Sequence, residues 1–273
     1  MVAYNQFSSE NMQERLHMKS HPGTNPEPFK STVAGIQEEF IILDESYCYP
    51  RGGGQPGDRG VFVVAPPLPV EDASQEEVQN FLERMMIGVH TEEFGEVLGG
   101  DLIRHPVQDT EYFSIGDEVV CYIDQEVRNQ HARMHTAQHI VSALAEDLWG
   151  AETVGNQLTV ESSRVDLLFE DKELFNPDEL VDASNAIIST NRDVNIHQWE
   201  RARILEHEQM RHTKFMHRIP TSINQLRVVE IEGVDLCPCA GSHVSNTSMV
   251  PKIKFQGKKN KGKGRIRFSY IFE

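Results

Sequence analysis

The sequence predicts an α+β chain in two parts: a small β-barrel over residues 31–122, then an α+β domain over 123–273 that carries a metal site, with a mobile segment over 1–30 ahead of both. Two observations lead there. The apolar pattern changes near Asp124, where short runs rich in β-branched and aromatic residues give way to a long stretch with helical spacing. Histidines and cysteines at ligand spacing then follow that change, at His135 and His139 and again at Cys239 and His243.

Residues 31–43, STVAGIQEEFIIL, have the composition of a strand. YCYPRGGGQPGDRG follows; its three consecutive glycines and two prolines forbid helix and force a tight loop. VFVVA resumes as strand. Residues 66–84 open on prolines, are acidic, and read as a surface insertion with a short helix. GVHTEEFGEVLGGDLIRHPV and GDEVVCYID add short strands between turns, which suits a barrel.

From Asp124 onward, Val127, Met134, Ile140, Val141, Leu144 and Leu148 form one buried stripe, with Asp124 as N-cap and Gly150 as stop. QLTVESSRVDLLFE reads as two strands, in which Arg164 and Asp166 make a structural pair. In FNPDELVDASNAIISTN, Asn176 caps a helix, Pro177 takes its first position and two acids sit in its first turn. DVNIHQWE is a strand, RARILEHEQ a short helix and LRVVEIEGV a strand. A cysteine-containing loop and a basic strand pair, KIKFQGKKNKGKGRIRFSYIF, complete the chain.

The chain has 273 residues, 38% of them apolar, and a mean hydropathy of −0.45, as expected of a soluble globular protein without a membrane span. The N-terminus lacks the apolar core of a secretory signal. The four cysteines, Cys48, Cys121, Cys237 and Cys239, do not form a disulfide framework, so a reducing cytoplasm is expected. A net charge of −16 argues against the whole surface binding nucleic acid. Between Pro251 and Tyr270, however, there are eight Lys or Arg and no acid, a segregated block suited to phosphate.

His135 and His139 project from one helix face, a turn apart, and can converge on a single ion. Alone, such a pair is as readily two ordinary polar residues. A zincin would need Glu beside the first histidine, and Thr136 stands there instead, which disfavours a metallopeptidase. A hundred residues on, DLCPCAGSHVSNT offers Cys239 and His243 with Gly241 between them. Three imidazoles and a thiolate suit zinc. Four protein ligands usually make a closed structural site, and three with water a catalytic one, so the permanence of His243 as a ligand stays open. Cys237 is an alternative thiolate.

HTAQH together with CAGSHV resembles the two metal motifs of the alanyl-tRNA synthetase editing domain and its free-standing relatives, the AlaX proteins. YPRGGGQPGDRG is similar to the glycine-rich loop of that family's N-terminal barrel, VGNQLTVESSRVDLLF to the segment between the motifs, and KGKGRIRF to the basic end. The likeness runs in order over about residues 38–270, with Ala240 and Ser242 where the family commonly has Gly and Thr. It implies hydrolysis of the ester joining Ser or Gly to alanine tRNA, with one zinc ion at His135, His139, Cys239 and His243.

Groups placed to act on the substrate are Thr136 and Gln138, beside the histidines, and Gln55 in the glycine-rich loop. A helix back-bond for Thr136 and solvation for Gln138 are the plainer readings. Gly53, Gly54, Lys258, Lys259, Lys261, Lys263 and Arg265 are the expected tRNA contacts. Two other readings stand beside this one: a zinc-stabilised RNA-binding module without catalysis, and editing of another mischarged tRNA such as threonine's, against which the glycine-rich barrel loop speaks.

Overall fold

The computed structural model describes residues 13–19, 27–65, 74, 79, 90–212, 216, 217 and 219–273. Backbone packing divides them into two units. The first holds the described residues through Gln125 except 52–56; the second holds 52–56 and the residues from Glu126 onward.

The first unit is mostly sheet. Its elements are β1 (Glu14–Arg15), α1 (Leu16–Lys19), β2 (Phe29–Gln37), β3 (Phe40–Leu43), β4 (Glu45–Ser46), β5 (Gly60–Ala65), β6 (His90–Phe94), β7 (His105–Pro106) and β8 (Glu118–Ile123). Six strands pair in the order β6-β5-β8-β2-β3-β7. The sheet curls, and its edge strands meet at one bridge, Phe94 opposite Val107, where Gly95 N–H reaches Pro106 O at 2.8 Å. Phe62, wholly buried, packs against Phe94, His105 and Phe113. Cys48 and Cys121 lie in the same core.

The stretch 31–43 is a hairpin rather than one strand. It turns at Glu38, whose φ is 50°, because two adjacent glutamates prefer the solvated turn to the ladder. Gln13 is anchored on this unit, donating from Nε2 to Leu43 O and accepting at Oε1 from Ile103 N–H. The helix expected within residues 66–84 lies outside the described residues.

The second unit contains α2 (Gln125–Trp149), β9 (Glu152–Leu158), β10 (Ser163–Leu168), α3 (Pro177–Ile188), β11 (Val194–Glu200), α4 (Arg201–Glu206), β12 (Gln225–Ile231), β13 (Asp235–Pro238), β14 (Ile253–Gly262) and β15 (Arg265–Phe272). One sheet runs β14-β15-β10-β9 and another β11-β12-β13, both antiparallel. Helix α2 stops at Gly150, whose φ of 64° a side chain would resist. The cap of α3 is Asn176, which accepts from Asp178 N–H and Glu179 N–H.

Helix α2 buries Met134, Ala137, Ile140, Val141 and Ala145, but also His131, His135, Thr136, Gln138, His139 and Ser142. A helix that buries this many polar groups must satisfy them inside the fold. The sheet anchors it: Tyr270 on β15, fully buried, donates its hydroxyl to Met134 O at 3.0 Å, next to His135. Phe268 lies under the same sheet among Phe175, Phe255 and Tyr270. Replacing Phe268 with Ala is expected to cost about 3–5 kcal/mol, read as a lowered urea midpoint of the second unit.

Candidate metal centre

Two segments 104 residues apart meet in the second unit. Helix α2 presents His135 and His139, and the turn after β13 presents Cys239 and His243. Their donor atoms all lie within 4.8 Å of one another, a set able to hold a metal ion. Cys239 Sγ is 3.6 Å from His135 Nε2 and 3.4 Å from His243 Nε2. The three ring centroids are 4.3 to 5.0 Å apart. The imidazoles are buried and Cys239 is half-buried.

Each ring is turned by an oxygen on its other nitrogen. Gln55 Oε1 accepts Ser242 N–H at 3.1 Å, which marks it as the carbonyl end, so His135 Nδ1, 2.8 Å away, is the donor. Gln55 Nε2 meanwhile donates to Ser242 Oγ at 2.7 Å. Thr136 Oγ1 donates back to Ala132 O, so it accepts from His243 Nδ1 at 3.1 Å and from Val244 N–H at 3.2 Å. His139 Nδ1 donates to Asp235 Oδ2 at 2.8 Å. All three Nε2 lone pairs are thereby left for the centre, the arrangement usual behind metal-bound histidines.

Burial pushes His135 and His243 down, the latter well below its ordinary value with His135 and His139 beside it. Burial also opposes charge on His139, but Cys237, Cys239 and the Asp235 bond override it and hold that ring well above its ordinary range. Cys239 is pulled well below a normal thiol against its burial by His135 and His139. Cys237 differs: burial and the Asp235 charge push it up to about 12, and its Sγ faces His139 Nδ1 at 3.4 Å, away from the four donors.

The turn is held from β12, where Arg227 donates to Cys239 O and Gly241 O, both at 2.8 Å. Gly241 is obligatory for another reason: a Cβ there would stand 2.0 Å from His135 Cε1. Ala240 is exposed and does not adopt positive φ, so it fits where the family commonly has Gly.

The other expected residues fall as follows. Gln138 is buried, donating to Ser142 Oγ and accepting from Asn156 Nδ2. Gly53 and Gly54, with φ of 57° and 87°, make the tight turn that Gly52 and Gln55 close. Gly54 O accepts from Leu158 N–H, and Asn156 leaves no room for a Cβ on Gly54. Lys258, Lys259, Lys261, Lys263 and Arg265 are exposed along the β14–β15 hairpin, whereas Arg267 is taken by Asp166 at 2.7 and 2.9 Å. Asp235, Arg227 and Asn156 were missed from sequence; a strand reading of DLCPC would have put Asp235, Cys237 and Cys239 on one face.

Residues 226–269, from β12 into β15, match the family described as the threonyl and alanyl tRNA synthetase second additional domain. The alanyl-tRNA editing protein AlaX-M of Methanosarcina mazei is 33% identical, covering 89% of this chain and 90% of its own length. The chain belongs to the AlaX family of alanyl-tRNA editing proteins. AlaX-M of Saccharolobus solfataricus is 31% identical over 95% of this chain and 98% of its own. The alanine–tRNA ligase of Pyrococcus abyssi is 31% identical over 83% of this chain, a match that occupies 22% of the ligase.

The close approach at Gly241 gives a direct check. Gly241→Ala should displace the His135 ring and cost about 1–3 kcal/mol through overpacking, read by urea unfolding. Ala240→Gly next to it should cost no more than about 1 kcal/mol.

Proposed function

We propose that the chain is a trans-editing hydrolase that deacylates alanine tRNA carrying Ser or Gly, with one zinc ion held by His135, His139, Cys239 and His243. The observation that carries this reading is the convergence of three Nε2 atoms and one sulfur, each ring fixed from behind, in a chain of this family. Nitrogen and sulfur donors at such separations fit zinc. Bound there, zinc supplies a Lewis acid to an aminoacyl ester that is already activated, so the Glu of a zincin is not needed.

The protein's own groups do the rest. Gln55 and Thr136 act by orienting His135 and His243; the Thr136 hydroxyl, with three partners already, has no capacity left for a substrate. Cys239, as the half-buried donor, marks the side from which the ester approaches. Gln138 and Asn156 offer polar atoms beside Gly54, and a serine hydroxyl can bond there where the methyl of alanine cannot. The Gly53–Gly54 backbone is assigned to the tRNA terminus. Lys258, Lys259, Lys261, Lys263 and Arg265 are assigned to acceptor-stem phosphates. This reading locates the protein in the cytoplasm with charged tRNA, as an α+β editing domain over 123–273 that follows a barrel over 31–122.

A second reading draws on the donor count: four protein ligands close a tetrahedron, as in a structural zinc site, and the chain would then bind RNA without catalysis. Deacylation of Ser-, Gly- and Ala-charged alanine tRNA, before and after chelation and with Cys239→Ala, separates the two. Loss of Ser and Gly release on chelation, with Ala-tRNA spared throughout, is the expected outcome; tRNA binding without release in any state supports the second reading. Cleavage of mischarged threonine tRNA instead would reassign the substrate. Changing Lys258, Lys259 and Lys261 to Ala should lower tRNA affinity and flatten the slope of log K against log salt by roughly 0.7–0.9 for each phosphate no longer neutralised.

A further inference from the structure

We propose that Asp235, backed by Arg211, is the positioning residue that sets His139 for the metal, and that Cys237 serves this outer layer and is not a ligand. The inference rests on the metal reading above and adds a second layer behind it. The Asp235 side chain is fully buried and lies on the same β13 face that leads to Cys239. One of its oxygens takes His139 Nδ1–H at 2.8 Å. The other, Oδ1, has no hydrogen bond among the described residues, and Arg211 Nε stands 3.8 Å from it.

Arg211 joins the two elements that set this geometry. Its guanidinium reaches Glu146 at 3.1 Å and Asp147 at 2.7 Å on α2, while its backbone N–H donates to Leu236 O at 2.8 Å on β13. Glu146 lies seven residues after His139, two turns along the same helix face. Arg211 therefore links the two, its side chain holding the helix that carries the ligand and its backbone holding the strand that carries the orienting carboxylate. Arg211 and Asp235 also line one cavity of about 330 Å³, so loss of the guanidinium would open the carboxylate to water.

Cys237 Sγ approaches His139 at Nδ1, 3.4 Å away, the nitrogen that Asp235 already occupies. His139, Asp235 and Cys237 are close enough to be taken for a second ion site of their own. The short His139–Asp235 hydrogen bond assigns them to orientation.

Cobalt(II) titration of the full chain tests this, with thiolate-to-cobalt absorption and competition against a chromophoric chelator as readouts. The wild type should bind one equivalent. Asp235→Asn should weaken cobalt about 10–100-fold and shift the visible bands, as loss of a partner behind a metal-bound histidine does. Asp235→Glu should recover part of the affinity. Arg211→Gln should give a smaller loss in the same direction, and Cys237→Ser should keep the sulfur charge-transfer band. Affinity within twofold of wild type with unshifted bands in Asp235→Asn would overturn the proposal. So would a second bound equivalent, or loss of the charge-transfer band in Cys237→Ser. Should Asp235→Asn not fold, unchanged affinity in Arg211→Gln overturns it equally. A wild type that binds no cobalt overturns the zinc reading along with this one.

Discussion

Three imidazoles and a sulfur share one buried volume in the second unit, and much of the surrounding structure answers that crowding. Burial disfavours the charged form of all four, and each ring needs a fixed partner on its second nitrogen if it is to face the others. The fold resolves this by giving each ring a different oxygen on Nδ1: an amide at His135, a hydroxyl at His243 and a carboxylate at His139. Cys237, Cys239 and the Asp235 carboxylate raise His139 against its burial, while His135 and His243 are lowered.

The orienting oxygens come from three separate places in the chain, which explains features that look unrelated. The turn at Gly53 and Gly54 brings Gln55 to His135, and it is fastened to β9 by Leu158 N–H. Gly241 lacks a side chain because His135 occupies the space one would take. Arg227 directs its donors to two carbonyls of the cysteine turn, fixing the backbone from which Cys239 and His243 project. Tyr270 brings the last strand against α2 beside His135.

Much of this was legible in the sequence where the signal is local. Asn176, Pro177 and Gly150 mark helix ends through bonds and dihedrals confined to a few residues. The two histidine-containing motifs disclose the donors because a helix turn and a short loop fix their spacing. What stayed hidden depends on long-range contact. Gln55 was expected at the site, but not its hold on His135, 80 residues away; Asp235 lies 96 from His139, and no local pattern distinguishes it from a solvated side chain. Thr136 shows both: its back-bond to Ala132 could be read from the helix, its hold on His243 could not. Arg267 counted among the free cations of the basic block, but register places Asp166 opposite it. The hairpin at Glu38 was missed because two apolar runs with one short polar break read alike as one strand or two.

The separation of the two motifs also has a temporal meaning. Cys239 leaves the ribosome 104 residues after His135. At roughly 5–20 residues per second, that is a wait of about 5–20 s. Gln55, Ser142 and Asn156 are made before or early in that interval, but His139 waits for Asp235, Thr136 for His243 and His135 for Cys239. The two imidazoles of α2 are thus made long before the sulfur and the third ring with which they cluster.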